Sequence, residues 1–135
     1  MAAGDITSED FDEIDGQTDS GSGVTKGQVI YWTSGNVATA TATTDGPYGV
    51  ALATAAASAT DVRVLKAGTV YLTASGAVTK GTLVSAAAAG RVAATTVDMT
   101  TVSTLGAALK RIVGVALDTA ADAATLRVRL GGVGE

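Results

Sequence analysis

Val24-Thr25-Lys26-Gly27 returns, residue for residue, as Val78-Thr79-Lys80-Gly81, and this repetition decides the fold. Two later stretches return in the same order, namely GVAL at 49–52 and 114–117, and DVRV at 61–64 as TLRV at 125–128. The spacing between the copies grows from 54 to 65 residues, so the second copy carries 11 additional residues, which fall within 95–110. A repeat of this size indicates one supersecondary unit used twice.

The repeated unit has the pattern of short β-strands. Ala, Thr, Gly and Val make up 81 of the 135 residues, and the β-branched members of this set favour strands over helices. In 125–130, Leu126, Val128 and Leu130 alternate with Arg127 and Arg129, which is the period of a strand with one buried face. The sequence therefore predicts an all-β fold, a small β-barrel or sandwich built from two similar halves.

Turn residues divide the chain into predicted strands. These lie at 28–33, 37–41, 49–54, 61–66, 69–73, 77–79, 82–85, 91–94, 114–119 and 125–130. Hairpin loops are expected at 34–36, 74–76 and 86–90, and a short helix or loop is expected within the insertion at 95–110. We expect three strands of the first copy to superpose on three strands of the second about an approximate two-fold axis. The matched strands are 28–33 with 82–85, 49–54 with 114–119, and 61–66 with 125–130.

The first 23 residues differ from the rest of the chain. They contain seven acidic residues and no basic one, whereas residues 24–135 contain all nine basic residues and six acidic ones. Such a segment is too polar to fold alone. We expect an extended acidic arm at 1–23 and a β-barrel domain at 24–135, with the internal repeat at 24–68 and 78–132. The arm is expected to leave the barrel and bind another surface through Asp10, Phe11, Asp12, Glu13 and Ile14.

The composition argues against an enzyme. The chain has no Cys and no His, which excludes Ser–His and Cys–His nucleophiles and thiolate or imidazole metal sites. No phosphate-binding or dinucleotide-binding glycine motif is present. Asp10, Asp12 and Glu13 do not have the spacing of a calcium-binding EF-hand loop. We expect no catalytic residue, no cofactor, no metal and no small-molecule substrate.

The remaining surface residues favour protein partners. The basic residues form no run interleaved with aromatics, and no apolar stretch approaches membrane-spanning length, so neither nucleic acid nor a membrane is expected. Arg63 and Arg127 occupy equivalent repeat positions; together with Arg129 they fit either a contact between subunits or a solvated strand face. Few large apolar residues and several strand edges favour a homo-oligomer, most simply a trimer.

The aromatic residues offer a second interpretation. Adjacent strand residues Tyr31 and Trp32 point to opposite faces, so one of the two is expected in the core. The other, together with Tyr71, is the main candidate for a sugar-stacking surface. A carbohydrate-binding or adhesin-type module on a virion or cell surface is therefore the alternative function.

Two runs of the chain resemble a known family. They are KGQVIYWTSGNVATATATTDGPYGVALATAAASATDVRVLKAG and IVGVALDTAADAATLRVRL, and they resemble the small β-rich capsid cement or decoration proteins of tailed viruses, which have often been mislabelled as recombinases. The residues that fit the family pattern are Gly27, Trp32, Gly35, 49–52, 62–64, 114–117 and 126–130. The resemblance covers 24–66 and 69–132, while the long acidic arm and the insertion at 95–110 depart from it.

This resemblance implies a structural virion protein that binds the outer surface of an icosahedral capsid and stabilises it. Its expected partners are the major capsid protein and two further copies of itself, and its expected location is the outer capsid surface after synthesis in the host cytoplasm. Residues 10–14 are then expected to contact the capsid or a neighbouring subunit. The recombinase label has no support, because the ATP-binding loop that it requires is missing.

Overall fold

The structure is a computed structural model, and it describes residues 2–5, 13–18, 23–33, 36–41, 47–55, 61–95 and 111–130. Within these ranges the fold is all-β, as the sequence predicted, apart from a short 3-10 turn at Ala88–Gly90 and the helical residue Arg111. The strands are β1 (Glu13–Thr18), β2 (Val29–Thr33), β3 (Asn36–Thr39), β4 (Pro47–Ala51), β5 (Asp61–Thr73), β6 (Leu83–Ala86), β7 (Val92–Ala94), β8 (Ile112–Ala116) and β9 (Thr125–Leu130).

The strands pair antiparallel in the order β3-β2-β4-β5-β9-β8-β6-β7, and β1 pairs with β5 outside this path. β5 joins the two halves. Its first part pairs with β1 and β4, and its second part pairs with β9 from Gly68↔Leu130 to Thr73↔Thr125. Between the two parts Gly68 has a φ of +124°, which only glycine adopts readily. One long strand therefore belongs to both halves of the sheet.

The strand order has the symmetry of the sequence repeat. From one edge, the order of the first half is β3-β2-β4 followed by the first part of β5. From the other edge, the order of the second half is β7-β6-β8-β9, so each strand of one half has a counterpart at the same place in the other. The registers agree as well: Val29 pairs with Val50 and Val50 with Leu65, while Leu83 pairs with Val115 and Val115 with Arg129. The predicted matching of strands between the two copies therefore holds in their pairing.

The VTKG stretches are turns with a common hydrogen-bond pattern. Gly27 and Gly81 have φ of +86° and +88°, and the amides of Gln28 and Thr82 donate to the carbonyls of Thr25 and Thr79 at 3.1 and 3.2 Å. The lysine amides complete the pattern, because Lys26 donates to Thr54 Oγ1 and Lys80 to Thr119 Oγ1, both at 3.0 Å. The motif thus precedes a strand and is hydrogen-bonded to the end of the GVAL segment.

Part of the predicted arm lies on the body. The backbone of β1 pairs with β5 from Ile14↔Leu65 to Thr18↔Asp61, and Tyr71 exchanges backbone hydrogen bonds with Gly4 and Asp5 at 2.7 and 3.0 Å. The expectation that residues 1–23 leave the barrel is therefore wrong for 2–5 and 13–18. The physical reason is the repeat itself: β1 precedes the first VTKG turn as the second part of β5 precedes the second, and β1 completes the first half of the sheet.

One further strand prediction needs correction. The predicted hairpin of 69–73 and 77–79 does not form, because 69–73 continues β5 and pairs with β9, while Val78 makes a bridge with Ala120. The signal at Ala74-Ser75-Gly76 is a turn that leads from β5 toward the second VTKG turn. The helix or loop expected at 95–110 lies almost entirely outside the described residues.

The core consists of two apolar clusters. The smaller one contains the inner face of the first half: Val24, Ile30, Val37, Ala51, Ala55, Val62 and Val64. The larger one contains the equivalent residues of the second half: Val78, Val84, Val92, Ala116, Ala120, Leu126 and Val128. It also contains Val29, Ala40, Val50 and Leu65 from the opposite face of the first half. The first half is therefore buried on both faces, and one of these faces packs against the second half.

Candidate docking surfaces

The two halves contain equivalent rows of residues, and the two rows lie in different environments. In the first half, Val29, Val50 and Leu65 lie side by side on adjacent strands and are fully buried in the larger cluster. In the second half, the equivalent row is Leu83, Val115 and Arg129, in which the two aliphatic side chains are half-buried and the arginine is exposed. The row that the chain covers internally in one copy is thus left accessible in the other.

We call this accessible surface the outer face, defined by Thr69, Tyr71, Leu83, Val115, Arg127 and Arg129. Thr69 is the register partner of Arg129, and Tyr71 that of Arg127, so β5 extends the surface beyond β9. Side chains of odd number on β9 point away from the core, whose β9 members are Leu126, Val128 and Leu130. The alternation read from the sequence at 125–130 is therefore confirmed.

Arg127 is held by a carboxylate on the outer face. Its Nε and Nη2 donate to Asp118 Oδ2 and Oδ1 at 2.9 and 2.8 Å, and its backbone amide donates to Asp118 Oδ2 at 3.0 Å. These hydrogen bonds lower the pKa of Asp118 to about 2, and the same contact raises the pKa of Arg127. The paired geometry fixes the guanidinium in one orientation beside Tyr71.

Arg63 and Arg129 lie in different settings. Arg63 occupies the position of Arg127 in the first half. Ala53 stands where the second half has Asp118, so the carboxylate that binds Arg127 has no counterpart at that position. Arg129 is exposed on the outer face and has no ion pair among the residues that the structure describes. The structure therefore brings Arg127 and Arg129 together on one strand and keeps Arg63 on the first half. Contact between subunits at the three arginines stays a prediction.

The N-terminal residues 2–5 cover the first VTKG turn. Lys26 Nζ lies 2.9 Å from Asp5 Oδ1, and this hydrogen bond is the main cause of a lowered pKa at Asp5. A Cβ at Gly27 would lie 2.5 Å from Ala3 Cβ, whereas one at Gly81 would meet nothing within 4 Å. The first turn is therefore closed by the chain itself, and the second one is open.

A shallow cavity of about 260 Å³ lies beside that covered turn and is lined by Lys26, Gln28, Ala89 and Arg91 among others. The Gln28 side chain accepts from the Thr25 amide and from Thr39 Oγ1, both at 3.0 Å, and donates to the Ala89 carbonyl at 3.2 Å. All its hydrogen-bonding groups thus hold the turn, β3 and the 3-10 turn together. The cavity is a junction between structural elements.

Tyr31 and Trp32 occupy the opposite faces that their adjacency predicts. Tyr31 packs against the larger core cluster, and Trp32 is 48% exposed. Tyr71 is half-buried on the second half, next to Arg127. The aromatic residues therefore do not share one face within the described part of the chain.

The arm residues are only partly described. Asp10, Phe11 and Asp12 lie outside the described residues. Glu13 and Ile14 belong to β1, whose backbone pairs with β5 near Ala67 and Leu65. Their assignment to a capsid or neighbour contact stays a prediction.

Within the described ranges, no group of three or more acidic side chains lies close enough together to hold a metal ion. No helix in those ranges is long and apolar enough to cross a membrane.

Sequence reasoning missed two residues of these surfaces. Asp118, the partner of Arg127, replaces Ala53 at an equivalent repeat position, and this difference between the copies was the available signal. Asp5 pairs with Lys26, but in the sequence it is one of seven acidic residues of 1–23, and no periodic signal places residues 2–5 on the first turn.

Comparison with known proteins gives one kind of match. No protein-family model and no curated protein sequence matches the chain. Among solved structures, the fold is similar to that of the head fiber gp8.5 N base in bacteriophage phi29, with a TM-score of 0.67 and 15% sequence identity. The match covers 88% of this chain and 95% of that chain. At this identity the likeness establishes a common fold.

Proposed function

We propose that the chain is a structural protein of a tailed-virus particle, which binds the outer surface of the icosahedral capsid as a trimer and stabilises it. The observation that carries this proposal is the likeness to a phage head fiber base over nearly the whole chain. The resemblance of the repeated GVAL and VRV segments to capsid cement proteins is independent of that likeness, and it favours the same class of protein. The proposal includes no enzymatic activity and no cofactor.

Charge and surface composition are consistent with this role. The outer face combines half-buried aliphatic side chains with tyrosine and arginine, which is typical of protein–protein interfaces. Residues 1–23 carry an acidic excess, opposite in sign to the charge of Arg129 on the outer face. A chain that binds a neighbour through one region and the shell through another stabilises the shell by mass action.

Co-sedimentation with capsids tests the proposal. Purified protein is mixed with undecorated capsids of the phage that encodes it, and pelleted protein is quantified against total protein. We expect saturable binding, with a fixed number of copies per capsid, and a higher temperature of capsid disruption when the sites are full. Protein that stays in the supernatant at all concentrations would contradict the proposal.

The exposure of Trp32 favours a second candidate, carbohydrate binding. A glycan array probed with the wild type and with Trp32→Ala tests it. Binding of a defined glycan that is lost in the variant would support this candidate, whereas equal signals from both proteins would exclude a role for Trp32. Capsid binding in the previous experiment does not depend on that outcome.

A further inference from the structure

The internal repeat allows the outer face to be compared with the equivalent buried row of the first half. In the first half, the row of Val29, Val50 and Leu65 is buried because the second half of the same chain packs over it. The repeat places Leu83, Val115 and Arg129 at the same three positions. This row retains two large aliphatic side chains, although no part of the described chain buries them fully.

The substitutions within the row are those expected when a covering partner is a separate molecule. Arg129 stands in place of Leu65, and Thr95 stands in place of Ala40 beside the same row; the amides of Thr95 and Ala40 donate to equivalent carbonyls, those of Leu83 and Val29. Arginine is common at interfaces between chains but is rarely fully buried inside one. The polar replacements keep the free chain soluble, while Leu83 and Val115 keep apolar area for a partner.

The charges indicate which partner fits. Arg129 has no ion pair among the described residues, whereas Arg127 is neutralised by Asp118. The acidic excess that would balance an uncompensated arginine is present in the chain itself, since seven of its 13 acidic residues lie within 1–23. A second copy of the chain therefore brings charge of the required sign.

We propose that the outer face of the second half is the contact surface for a second copy of this chain. The copies meet through different surfaces, because Arg129 adds an exposed positive charge to the outer face and seven acidic residues lie within 1–23 of the other copy. A head-to-tail contact closes into a ring when its rotation returns to the first copy, and a three-membered ring is the trimer on which this proposal rests. The outer face would then be covered between chains as its counterpart is covered within one.

Two substitutions on the outer face test the assignment. Val115→Thr/Arg129→Glu keeps a β-branched residue in β8 and reverses the uncompensated charge, and Arg129→Glu alone serves if the double variant fails to fold. Arg91→Glu, an equal charge reversal at an exposed position outside the outer face, is the matched control. By analytical ultracentrifugation we expect the wild type and Arg91→Glu to form trimers, and the outer-face variants to associate at least tenfold more weakly with an unchanged circular dichroism spectrum.

Thiol protection gives an independent measurement, because the chain contains no cysteine. Val115→Cys places one thiol on the outer face, and Thr79→Cys places one on the open second turn. We expect the maleimide reaction at position 115 to slow at least tenfold as protein concentration rises through the association range, with no change at position 79.

Three results would overturn the assignment. They are trimers that persist unchanged in the outer-face variants, equal reactivity at position 115 in monomer and trimer, and a wild type that is monomeric at every concentration. Protection of position 115 that appears only on capsids would assign the surface to the capsid protein instead. Failure of the proposed function has a different signature, namely intact trimers with a protected position 115 that do not bind capsids.

Discussion

At the scale of single residues, two glycines control how closely the strands approach. A Cβ at Gly49 would overlap the carbonyl oxygen of Leu65, and one at Gly114 would overlap that of Arg129, which is the equivalent contact in the other half. We expect Gly49→Ala and Gly114→Ala each to lower the free energy of unfolding by about 2–3 kcal/mol, because the paired strands must separate. Urea unfolding followed by circular dichroism measures this.

Gly76→Ala is the control for backbone strain alone. Gly76 has a φ of +81° but open space around its Cα, so alanine there should cost about 1 kcal/mol. Equal losses in all three variants would mean that the close approach of the strands is not what requires glycine at 49 and 114.

The Asp118–Arg127 pair gives a pH-dependent contribution to stability. The pKa of Asp118 is about 2 in the folded chain against an ordinary value of 3.8, so the folded state favours the ionised carboxylate. Its contribution is complete above pH 3.8 and is lost as the pH falls toward 2. We expect Asp118→Asn to lower Tm by a few degrees at pH 7, and the difference from wild type to disappear below pH 2.

Arg63→Gln is the matched control, since Arg63 holds the equivalent repeat position and Ala53 stands there in place of Asp118. It should leave Tm unchanged over the same pH range. A Tm difference for Asp118→Asn that persists unchanged at low pH would show that the lost contribution is not electrostatic.

At the scale of elements, β1 is the first strand of the repeated unit. It pairs with the first part of β5 from position 14 to position 18, so its removal exposes unpaired backbone groups between Asp61 and Ala67. We expect a chain lacking residues 1–12 to remain folded and non-aggregating, and a chain lacking residues 1–23 to have a clearly lower Tm and to aggregate in size-exclusion chromatography. Identical Tm values for the two truncations would contradict the structural role of β1.

The repeat made much of this fold predictable. The parts that were not predicted include those where the sequences of the two copies differ. Exact repetition of VTKG and GVAL predicted the turns and the matched strands, because each needs glycine at fixed positions. β1 escaped prediction because its sequence, EIDGQT, has lost the apolar alternation of its counterpart at 67–73, so only its pairing identifies it. The bridge between Val78 and Ala120 was missed for a related reason: one isolated residue pair leaves no periodic pattern.

The candidate surfaces were less predictable than the fold. Alternation at 125–130 predicted that Arg127 and Arg129 share the outward face of one strand. It gave no information on Asp118, which contacts Arg127 from the segment after β8. It also did not predict that the row of Val29, Val50 and Leu65 in the first half is buried against the second half. Such contacts depend on how the two halves pack, and a local sequence pattern does not encode that.

At the scale of the whole molecule, the described residues form a duplicated half-sheet, whose first copy is buried on both faces and whose second copy is fully buried on one. Within the described ranges, Leu83 and Val115 on the outer face are half-buried and Arg129 is exposed, and seven acidic residues lie within 1–23 at the other end of the sequence. A trimer assembled through that face would present three acidic segments. We expect increasing salt from about 0.05 to 0.5 M to weaken binding of the protein to capsids, because exposed charge pairs are screened at these concentrations.

Cryo-electron microscopy of decorated capsids shows directly whether the protein binds the outer capsid surface as a trimer. Undecorated capsids are incubated with saturating protein, and the reconstruction is compared with that of capsids alone. We expect additional density on the outer surface at regularly repeated positions, each of which fits three copies of the β-fold with their outer faces buried between neighbours. A reconstruction without added density, or with one isolated copy at each site, would contradict it.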